Sequence, residues 1–117
     1  MRSKFFAVAA VALSGTACDT YMCDTGIFPA IQVEIRDSVT NAPAAAGAIV
    51  IATSGSFTDS MSVTHDLMVG LAQERAGTYT VRVRKTGYRL WSRSGVEVRG
   101  GECGVTTVNV LARLHPE

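Results

Sequence analysis

The chain has 117 residues, which suits a single domain, and its 47% hydrophobic content is ordinary for a globular protein. Its formal net charge is +1, and loss of a leader carrying Arg2 and Lys4 takes away two positive charges to leave −1. A nearly neutral domain lacks the basic excess on which electrostatic binding to nucleic acid depends. The composition therefore argues against a nucleic-acid partner.

Residues 1–17 have the layout of a secretory signal peptide. A basic start precedes an apolar run, Phe5 to Leu13, and small residues follow it up to Ala17. A buried N-terminal strand would explain neither the basic start nor the small residues before Cys18. The apolar run is shorter than the roughly 20 residues that span a bilayer, and no later stretch reaches that length. We therefore predict export and no membrane helix in the mature chain.

The end of the signal peptide raises the question of a lipid anchor. Gly15-Thr16-Ala17-Cys18 resembles the lipobox of bacterial lipoproteins, in which a lipid is attached to the new N-terminal cysteine. The lipobox usually has leucine three residues before that cysteine, whereas Leu13 lies further upstream. The same residues also suit ordinary signal peptidase, which would release a secreted or periplasmic protein. We expect a cell-envelope protein, in the periplasm or on the outer surface, whose membrane contact is a lipid on Cys18.

The chain has three cysteines, which is an odd number for an oxidising compartment. If Cys18 carries lipid, Cys23 and Cys103 remain and can form a disulfide. Metal binding by Cys18 and Cys23 is the alternative, but a structural zinc site needs a second pair of ligands. We expect the disulfide and no metal site. Residues 18–29 then form an N-terminal tether before a domain at residues 30–117.

The rest of the chain predicts short strands. Ala30 to Asp37 alternates, with Ile31, Val33 and Ile35 on one face, and Ala48 to Thr53 is apolar enough for a strand covered on both sides. The other predicted strand segments are the half-buried stretch around Phe57, Met61 and Val63, then Leu67–Ala72, the stretch from Ala76 to Tyr88, Tyr88–Arg99 and Val105–Leu114. No helical period lasts beyond about two turns. We predict an all-β, Ig-like antiparallel sandwich of about seven strands.

Two Gly-Tyr patterns flank the most regular predicted strand. In Ig-like sandwiches a tyrosine placed as in Gly77-Thr78-Tyr79 folds its hydroxyl back onto the preceding corner. At the other end of the strand Gly87 allows a turn, and we expect Tyr88 to begin the next strand. We therefore assign Gly77, Tyr79 and Gly87 to fastening the fold. Arg82 and Arg84 alternate with valines, so they should lie on the solvated face. We expect Glu74 and Glu97 to balance the local basic cluster, which consists of Arg82, Arg84, Lys85, Arg89 and Arg93.

The order of these motifs resembles the carboxypeptidase regulatory-like domain, a transthyretin-like sandwich. The similarity runs through Val33-Glu34-Ile35-Arg36-Asp37, Gly47-Ala48-Ile49-Val50, Ala76-Gly77-Thr78-Tyr79 and Thr86-Gly87-Tyr88, and covers residues 30 to 115. The chain departs from the pattern at Asn41, where the family usually has glycine, although asparagine in the turn cluster Ser38 to Pro43 can also accept a left-handed conformation. It departs again between Ser54 and Met68, where no regular hairpin is evident. The resemblance implies an accessory, binding or structural role and supplies no catalytic residue.

An enzyme is not indicated. His65 and Asp66 are neighbours, and neighbouring residues of a strand point to opposite faces. The chain has no nucleophile elbow, zinc-protease helix or phosphate-binding loop. One transthyretin-like subfamily that hydrolyses a purine-breakdown intermediate ends in Tyr-Arg-Gly-Ser, whereas this chain ends in Leu114-His115-Pro116-Glu117. We predict no catalytic residues and no cofactor.

A binding role is the stronger hypothesis, with an envelope protein or a glycan as the partner. Unpaired strand edges can accept another chain. Trp91 is the single tryptophan, and Tyr88, Arg89 and Arg93 surround it in sequence. If Trp91 is exposed, this group could stack on a sugar. If Trp91 caps the edge of the sandwich, it has only a structural role.

Overall fold

The computed structural model describes residues 28–117. These residues form strands and no helix, so none of them lies in a helix able to cross a membrane. The strands, in chain order, are β1 (Ile31–Asp37), β2 (Ile49–Ser54), β3 (Phe57–Ser62), β4 (Val69–Leu71), β5 (Gly77–Arg84), β6 (Trp91–Val98), β7 (Gly100–Gly101), β8 (Gly104–Val105) and β9 (Val108–Leu114).

The seven longer strands form two sheets that enclose one core. The first sheet has the order β4-β1-β9 and the second has the order β3-β2-β5-β6, while β7 and β8 pair as a separate small hairpin. Strands β1 and β9 are parallel and pair along their full length, from Ile31 opposite Val108 to Asp37 opposite Leu114. The other pairings are antiparallel. The predicted all-β sandwich is confirmed.

The core consists of the alternating residues of the most regular strands. Val33 of β1, Val81 of β5 and Ala112 of β9 are fully buried, and no polar or charged residue between 28 and 117 is buried with them. Successive side chains of a strand point to opposite faces, so Arg82 and Arg84 lie outside. The predicted faces of β1 and β5 are confirmed.

Strand β2 differs from the prediction of burial on both sides. Val50 and Ala52 are fully buried, but Ile49 and Ile51 face outward, and Ile49 keeps 37% of its surface exposed. No other part of residues 28–117 covers the outer side of this sheet. The prediction that this apolar run is covered on both sides is therefore wrong.

The segment after β2 also differs from expectation, because β2 and β3 form a regular hairpin. Ser54 pairs with Phe57 across a two-residue turn. Gly55 has φ of 60°, and a type II′ turn needs positive φ at this position. The next apolar run is shorter as a strand than predicted: Leu67 is exposed and β4 contains only Val69–Leu71.

The corner before β5 is fastened by Tyr79. Its ring is buried, and its hydroxyl donates a 2.7 Å hydrogen bond to the backbone carbonyl of Arg75. Burial raises the pKa of the Tyr79 phenol, and the positive charge of Arg75 acts in the opposite direction. This is the folded-back geometry that the Gly77–Tyr79 spacing predicts.

Two further turns have the left-handed residues that the sequence indicated. Asn41 has φ of 63°, so it adopts the conformation that glycine would have at this position. Gly87 has φ of 90° at the third position of a turn closed by the Tyr88 amide and the Lys85 carbonyl. Tyr88 itself does not begin a strand: it forms an isolated bridge with Pro116, and β6 starts at Trp91.

The predicted signal peptide at residues 1–17, the lipidation site Cys18 and the disulfide partner Cys23 lie outside the described residues. Cys103 lies in the turn between β7 and β8. That turn is at the same end of the sandwich as Phe28, whose carbonyl accepts a hydrogen bond from the Glu74 amide. The Cys23–Cys103 disulfide stays a prediction.

Candidate functional site

The four residues predicted to bind a ligand do not form one site. Trp91 pairs with Val83 in the sheet and therefore lies on the core-facing side of β6. Tyr88 lies in the connection before β6 and lines a different surface. Arg89 is exposed, and its backbone amide donates to the His115 carbonyl. Arg93 lies over the Trp91 ring on β6. Tyr88 is therefore on one surface, and Trp91 with Arg93 is on another.

Trp91 is half-buried against the core at the edge of the sandwich. The guanidinium carbon of Arg93 lies 5.3 Å from the centroid of its ring, which is the distance of a cation–π contact. A sugar that stacked on this face would have to displace Arg93. The geometry is that of an edge cap, the structural alternative that the sequence left open for Trp91.

A cleft of about 390 Å³ lies where the ends of β2 and β5 meet the β5–β6 connection. Its volume is within the range of small-molecule sites. Its apolar lining is Ile49, Tyr88 and Leu90, its polar lining is Arg84, Lys85 and Thr86, and Gly47 also borders it. Of these residues, the sequence had pointed only to Tyr88 as a ligand-binding candidate.

Pairing between distant strands creates this cleft. Ile49 lies directly opposite Arg84 in the antiparallel pair of β2 and β5. The outward direction of both side chains follows from the inward direction of their neighbours Val50 and Val83. The sequence alone could not predict that these two outward side chains are neighbours, because it does not give the register of β2 against β5.

Lys85 is held at the cleft by two contacts. Its Nζ donates a 2.9 Å hydrogen bond to the Ala44 carbonyl and lies 5.4 Å from the centroid of the Tyr88 ring. An ammonium group has three N–H donors, so two remain for a ligand. Between residues 28 and 117 the Arg84 side chain has no hydrogen bond or ion pair, which leaves its guanidinium available to a ligand.

Tyr88 is fixed by Asp37 at the end of β1. Its hydroxyl donates a 2.7 Å hydrogen bond to Asp37 Oδ2, and this bond is the main reason that the pKa of Tyr88 is raised. Asp37 Oδ1 accepts from the amides of Val39 and Thr40. The Thr40 amide, then Tyr88, then the Val39 amide lower the pKa of Asp37 below 3.8. The carboxylate thus orients the aromatic wall of the cleft.

Among the described residues, the strands of the β3-β2-β5-β6 sheet place no outward carboxylate beside Ile49 and Arg84. On this outer face, Ile49 lies between Ser62 and Arg84 on the adjacent strands, and Ile51 lies between Ser60 and Arg82. Ser92 lies on the other side of Arg82. Asp59 points inward and accepts from the Ala72 amide, while Glu97 lies at the far end opposite Thr78. The cations of β5 therefore face solvent without neutralisation.

The carboxylates expected to balance this basic cluster do not do so. Within residues 28–117 the ion pairs are Arg36 with Glu34, at 2.7 Å, and Arg99 with Glu97, at 3.5 Å. Neither arginine belongs to the cluster around the cleft. The positions of Arg82 and Arg84 on a solvated face are confirmed, but the predicted compensation by Glu74 and Glu97 is wrong.

The histidines are engaged in turns. His65 and Asp66 lie in the loop between β3 and β4, rather than on a strand as expected. His65 Nδ1 accepts from the Leu67 amide, and Asp66 Oδ1 accepts from the Ala46 amide at 2.7 Å. His115 Nδ1 lies 3.0 Å from the Ser38 hydroxyl. No group of three metal-binding side chains occurs among the residues that the structure describes.

Strands β3 and β6, the two edges of the four-stranded sheet, have features that oppose the addition of another strand. The pairing of β5 with β6 shifts register between Tyr79 and Val81, and Gly95 has positive φ. Arg93 lies opposite the core-facing Val81, and Asp59 of β3 likewise points inward. Bulges and inward-pointing charges are common devices that block edge-to-edge pairing. Among the surfaces of residues 28–117, the cleft is a better candidate for a ligand than these edges.

Comparisons with protein-family models and with curated protein sequences found no match to this chain. The resemblance to the carboxypeptidase regulatory-like domain therefore rests on its motif residues, and the candidate site rests on its own geometry.

Proposed function

We propose that this chain is an exported cell-envelope domain, anchored by lipid on Cys18, that binds a partner and performs no catalysis. Its proposed kinship is with carboxypeptidase regulatory-like sandwiches, which implies an accessory or structural role. The proposal of export and anchoring rests on the basic–apolar–small layout of residues 1–17 and on the lipobox-like residues before Cys18.

The observation that supports a binding role is the concentration of exposed apolar side chains at one end of the sandwich. We call this the distal end; it comprises the loops 38–48, 63–68 and 85–90 with residues 115–117. Val39 is 76% exposed, Leu67 is 70% exposed and Leu90 is 58% exposed. Apolar groups gathered on a surface are typical of interaction sites, whereas single ones are common everywhere.

The opposite end receives the chain from its N-terminus. We call it the proximal end; Phe28 to Ala30 are held there by hydrogen bonds to Glu74, Thr107 and Val108. A tether that began at Cys18 would reach this end first. The distal end, with the cleft, would then point away from the anchored membrane and towards a partner.

Binding without turnover is supported by the chemistry of the cleft. Its polar groups are Arg84, Lys85 and Thr86, which donate hydrogen bonds and supply positive charge. A general base would have to lie within hydrogen-bonding reach of a bound reactant. Asp37, whose carboxylate contacts the lining residue Tyr88, already accepts hydrogen bonds from the Tyr88 hydroxyl and two backbone amides.

The glycan alternative at Trp91 receives less support. Trp91 is already partly buried against the core, and the Arg93 guanidinium lies over its ring. A glycan array with the purified protein tests it directly. Sugar binding that disappears in Trp91→Ala, with the fold retained, would replace the cleft by the Trp91 face as the functional surface.

A capture experiment tests the cleft as the partner surface. Protein purified from the cells that express it is immobilised and exposed to an envelope extract, and the bound proteins are identified by mass spectrometry. Leu90→Ser alters the cleft, and Met61→Ser is the control because Met61 is also exposed but lies on β3, outside both the cleft and the distal end. We expect a partner that Leu90→Ser loses and Met61→Ser keeps.

Metabolic labelling tests the anchor. Cells that express the chain are grown with radioactive palmitate, and the protein is compared with Cys18→Ser. We expect label and membrane association in the unmodified sequence and neither in the variant. An unlabelled, soluble product cleaved after Ala17 would contradict the lipid anchor and leave ordinary secretion.

A further inference from the structure

We propose that the cleft beside Arg84 binds a compact anion attached to an apolar group, such as a carboxylate or a phosphate monoester on an aromatic or aliphatic body. This inference rests on the proposed binding function and names the ligand class of the same cleft. It is carried by the arrangement of the cations, the apolar walls and the absence of outward carboxylates beside Ile49 and Arg84 on the described strands.

The cations define the charge of the ligand. Arg84 offers a planar fork of N–H donors, which matches the geometry of a carboxylate or phosphate. Lys85 adds two further donors beyond its bond to the Ala44 carbonyl, and the Thr86 hydroxyl lies in the same lining. Hydrogen bonds between ionised partners are stronger than neutral ones. Three donor side chains that line one cleft favour an anionic head group.

The apolar walls define the rest of the ligand. Ile49 and Leu90 leave 37% and 58% of their surfaces exposed, and the Tyr88 ring, 5.4 Å from the Lys85 ammonium group, lines the same cleft. An inorganic anion would leave these side chains in water. A ligand with an apolar body would cover them and gain roughly 25 cal/mol for each Å² removed from water.

The cleft is also organised before any ligand binds. Asp37 holds the Tyr88 hydroxyl, and the Ala44 carbonyl and the Tyr88 ring hold the Lys85 ammonium group. Side chains that are already ordered lose less conformational entropy on binding. Asp37, Asp66 and Glu117 are the acidic residues on this end. Asp37 and Asp66 already accept hydrogen bonds from backbone amides, and Glu117 lies beside Gly87 through its own backbone amide.

The test uses phenyl phosphate and benzoate as separate probes, with inorganic phosphate and phenol as the two halves. Protein labelled with ¹⁵N and purified as the expressing cell processes it is titrated with each probe, and the amide signals are followed by NMR. We expect phenyl phosphate or benzoate to shift the amides of Gly47, Thr86 and Leu90, and each half to bind at least tenfold more weakly. The stronger of the two complete probes identifies the head group as phosphate or carboxylate.

Two variants that each remove one positive charge distinguish binding in the cleft from nonspecific attraction of the anion to positive charge. Arg84→Gln alters the cleft, whereas Arg82→Gln alters the next outward residue of β5, which lies opposite Ile51 and outside the lining. Loss of a charge-assisted hydrogen bond should weaken binding about tenfold in Arg84→Gln. We expect less than a threefold change in Arg82→Gln.

Equal losses in the two variants, shifts confined to other regions, or no shift with either complete probe would overturn the proposal. Both arginines are exposed, so the variants should keep the dispersed amide spectrum of the folded domain. If a variant nevertheless unfolds, the location of the shifts in the unmodified protein decides. Partner capture that depends on Leu90 without anion binding would reject only the ligand class, whereas anion binding without capture would reject only the envelope partner.

Discussion

Tyr79 and Arg75 are connected twice at the proximal corner. The tyrosine hydroxyl donates to the Arg75 carbonyl, while the Arg75 guanidinium lies 4.1 Å from the centroid of the Phe57 ring. Phe57 in turn meets Tyr79 edge to face at 6.4 Å between ring centroids. The corner before β5 is thus attached to the β2–β3 hairpin through both the backbone and the side chain of one residue.

Removing only the Tyr79 hydroxyl should destabilise the domain. Tyr79→Phe keeps the buried ring but leaves the Arg75 carbonyl without its donor, so we expect a loss of about 1–2 kcal/mol in the free energy of unfolding. Urea unfolding followed by circular dichroism measures this change. An unchanged midpoint would mean that water replaces the hydroxyl and that the bond has no fastening role.

The Asp37 carboxylate should make stability depend on acid pH. Its pKa is lowered in the folded state, chiefly by the Thr40 amide and then by Tyr88, so its contribution is present above about pH 3.8. It is lost as the pH falls through the lower folded value. We expect Asp37→Asn to show a weaker loss of stability in this range, measured by urea unfolding at a series of pH values.

A direct titration checks the cause of that shift. The side-chain carboxyl carbon of Asp37, followed by ¹³C NMR, should titrate below 3.8 in the unmodified protein. Tyr88→Phe removes one of the three main hydrogen bonds and should move the pKa of Asp37 upward, part of the way to 3.8. An identical titration in the variant would show that the Tyr88 bond does not form in solution.

Truncation of two neighbouring residues of β5 should change the stability of the domain by very different amounts. Val81 is fully buried, so Val81→Ala should destabilise the domain by about 2–3 kcal/mol through lost burial and a cavity. Arg82→Ala, on the solvated face, should stay within about 0.5 kcal/mol of the unmodified protein. Thermal and urea unfolding of the pair distinguishes these faces, and comparable losses would contradict the strand register.

The predicted Cys23–Cys103 disulfide should stabilise the domain. Peptide mapping without reduction should recover these two cysteines in one linked fragment. By loop-closure entropy, loss of the bond in Cys23→Ser should lower stability by about 4 to 5 kcal/mol at most. Reduction should cause a similar loss in the unmodified protein and none in the variant. A linked pair that includes Cys18 instead would refute both this disulfide and the lipid anchor.

The fold was predictable where periodicity and turn chemistry agree. Val33, Val81 and Ala112 belong to alternating strands, and Asn41 lies in a turn whose left-handed residue the sequence indicated. Such signals are local, because the direction of a side chain follows from its parity and the turn from a few residues. The parallel pairing of β1 with β9 was not visible, since it joins the two ends of the domain.

The cleft was less predictable because it depends on register between separate strands. Ile49 was expected to be covered on both sides, and Arg84 was expected only to face solvent. Their opposition across β2 and β5 brings an exposed apolar side chain beside an unpaired cation. Sequence proximity instead grouped Arg89, Trp91 and Arg93 with Tyr88, although β6 begins between them and directs Trp91 to the core.

The separation of the proximal and distal ends has a practical consequence for experiments. The Arg89 amide binds the His115 carbonyl, and the Glu117 amide binds the Gly87 carbonyl, so the last residues of the chain lie against the loop that forms the cleft. A purification tag, reporter fusion or sensor-chip linkage at the C-terminus would therefore crowd the surface under study. Attachment upstream of Phe28 leaves that surface open, and binding measured in the two orientations should differ for this reason alone.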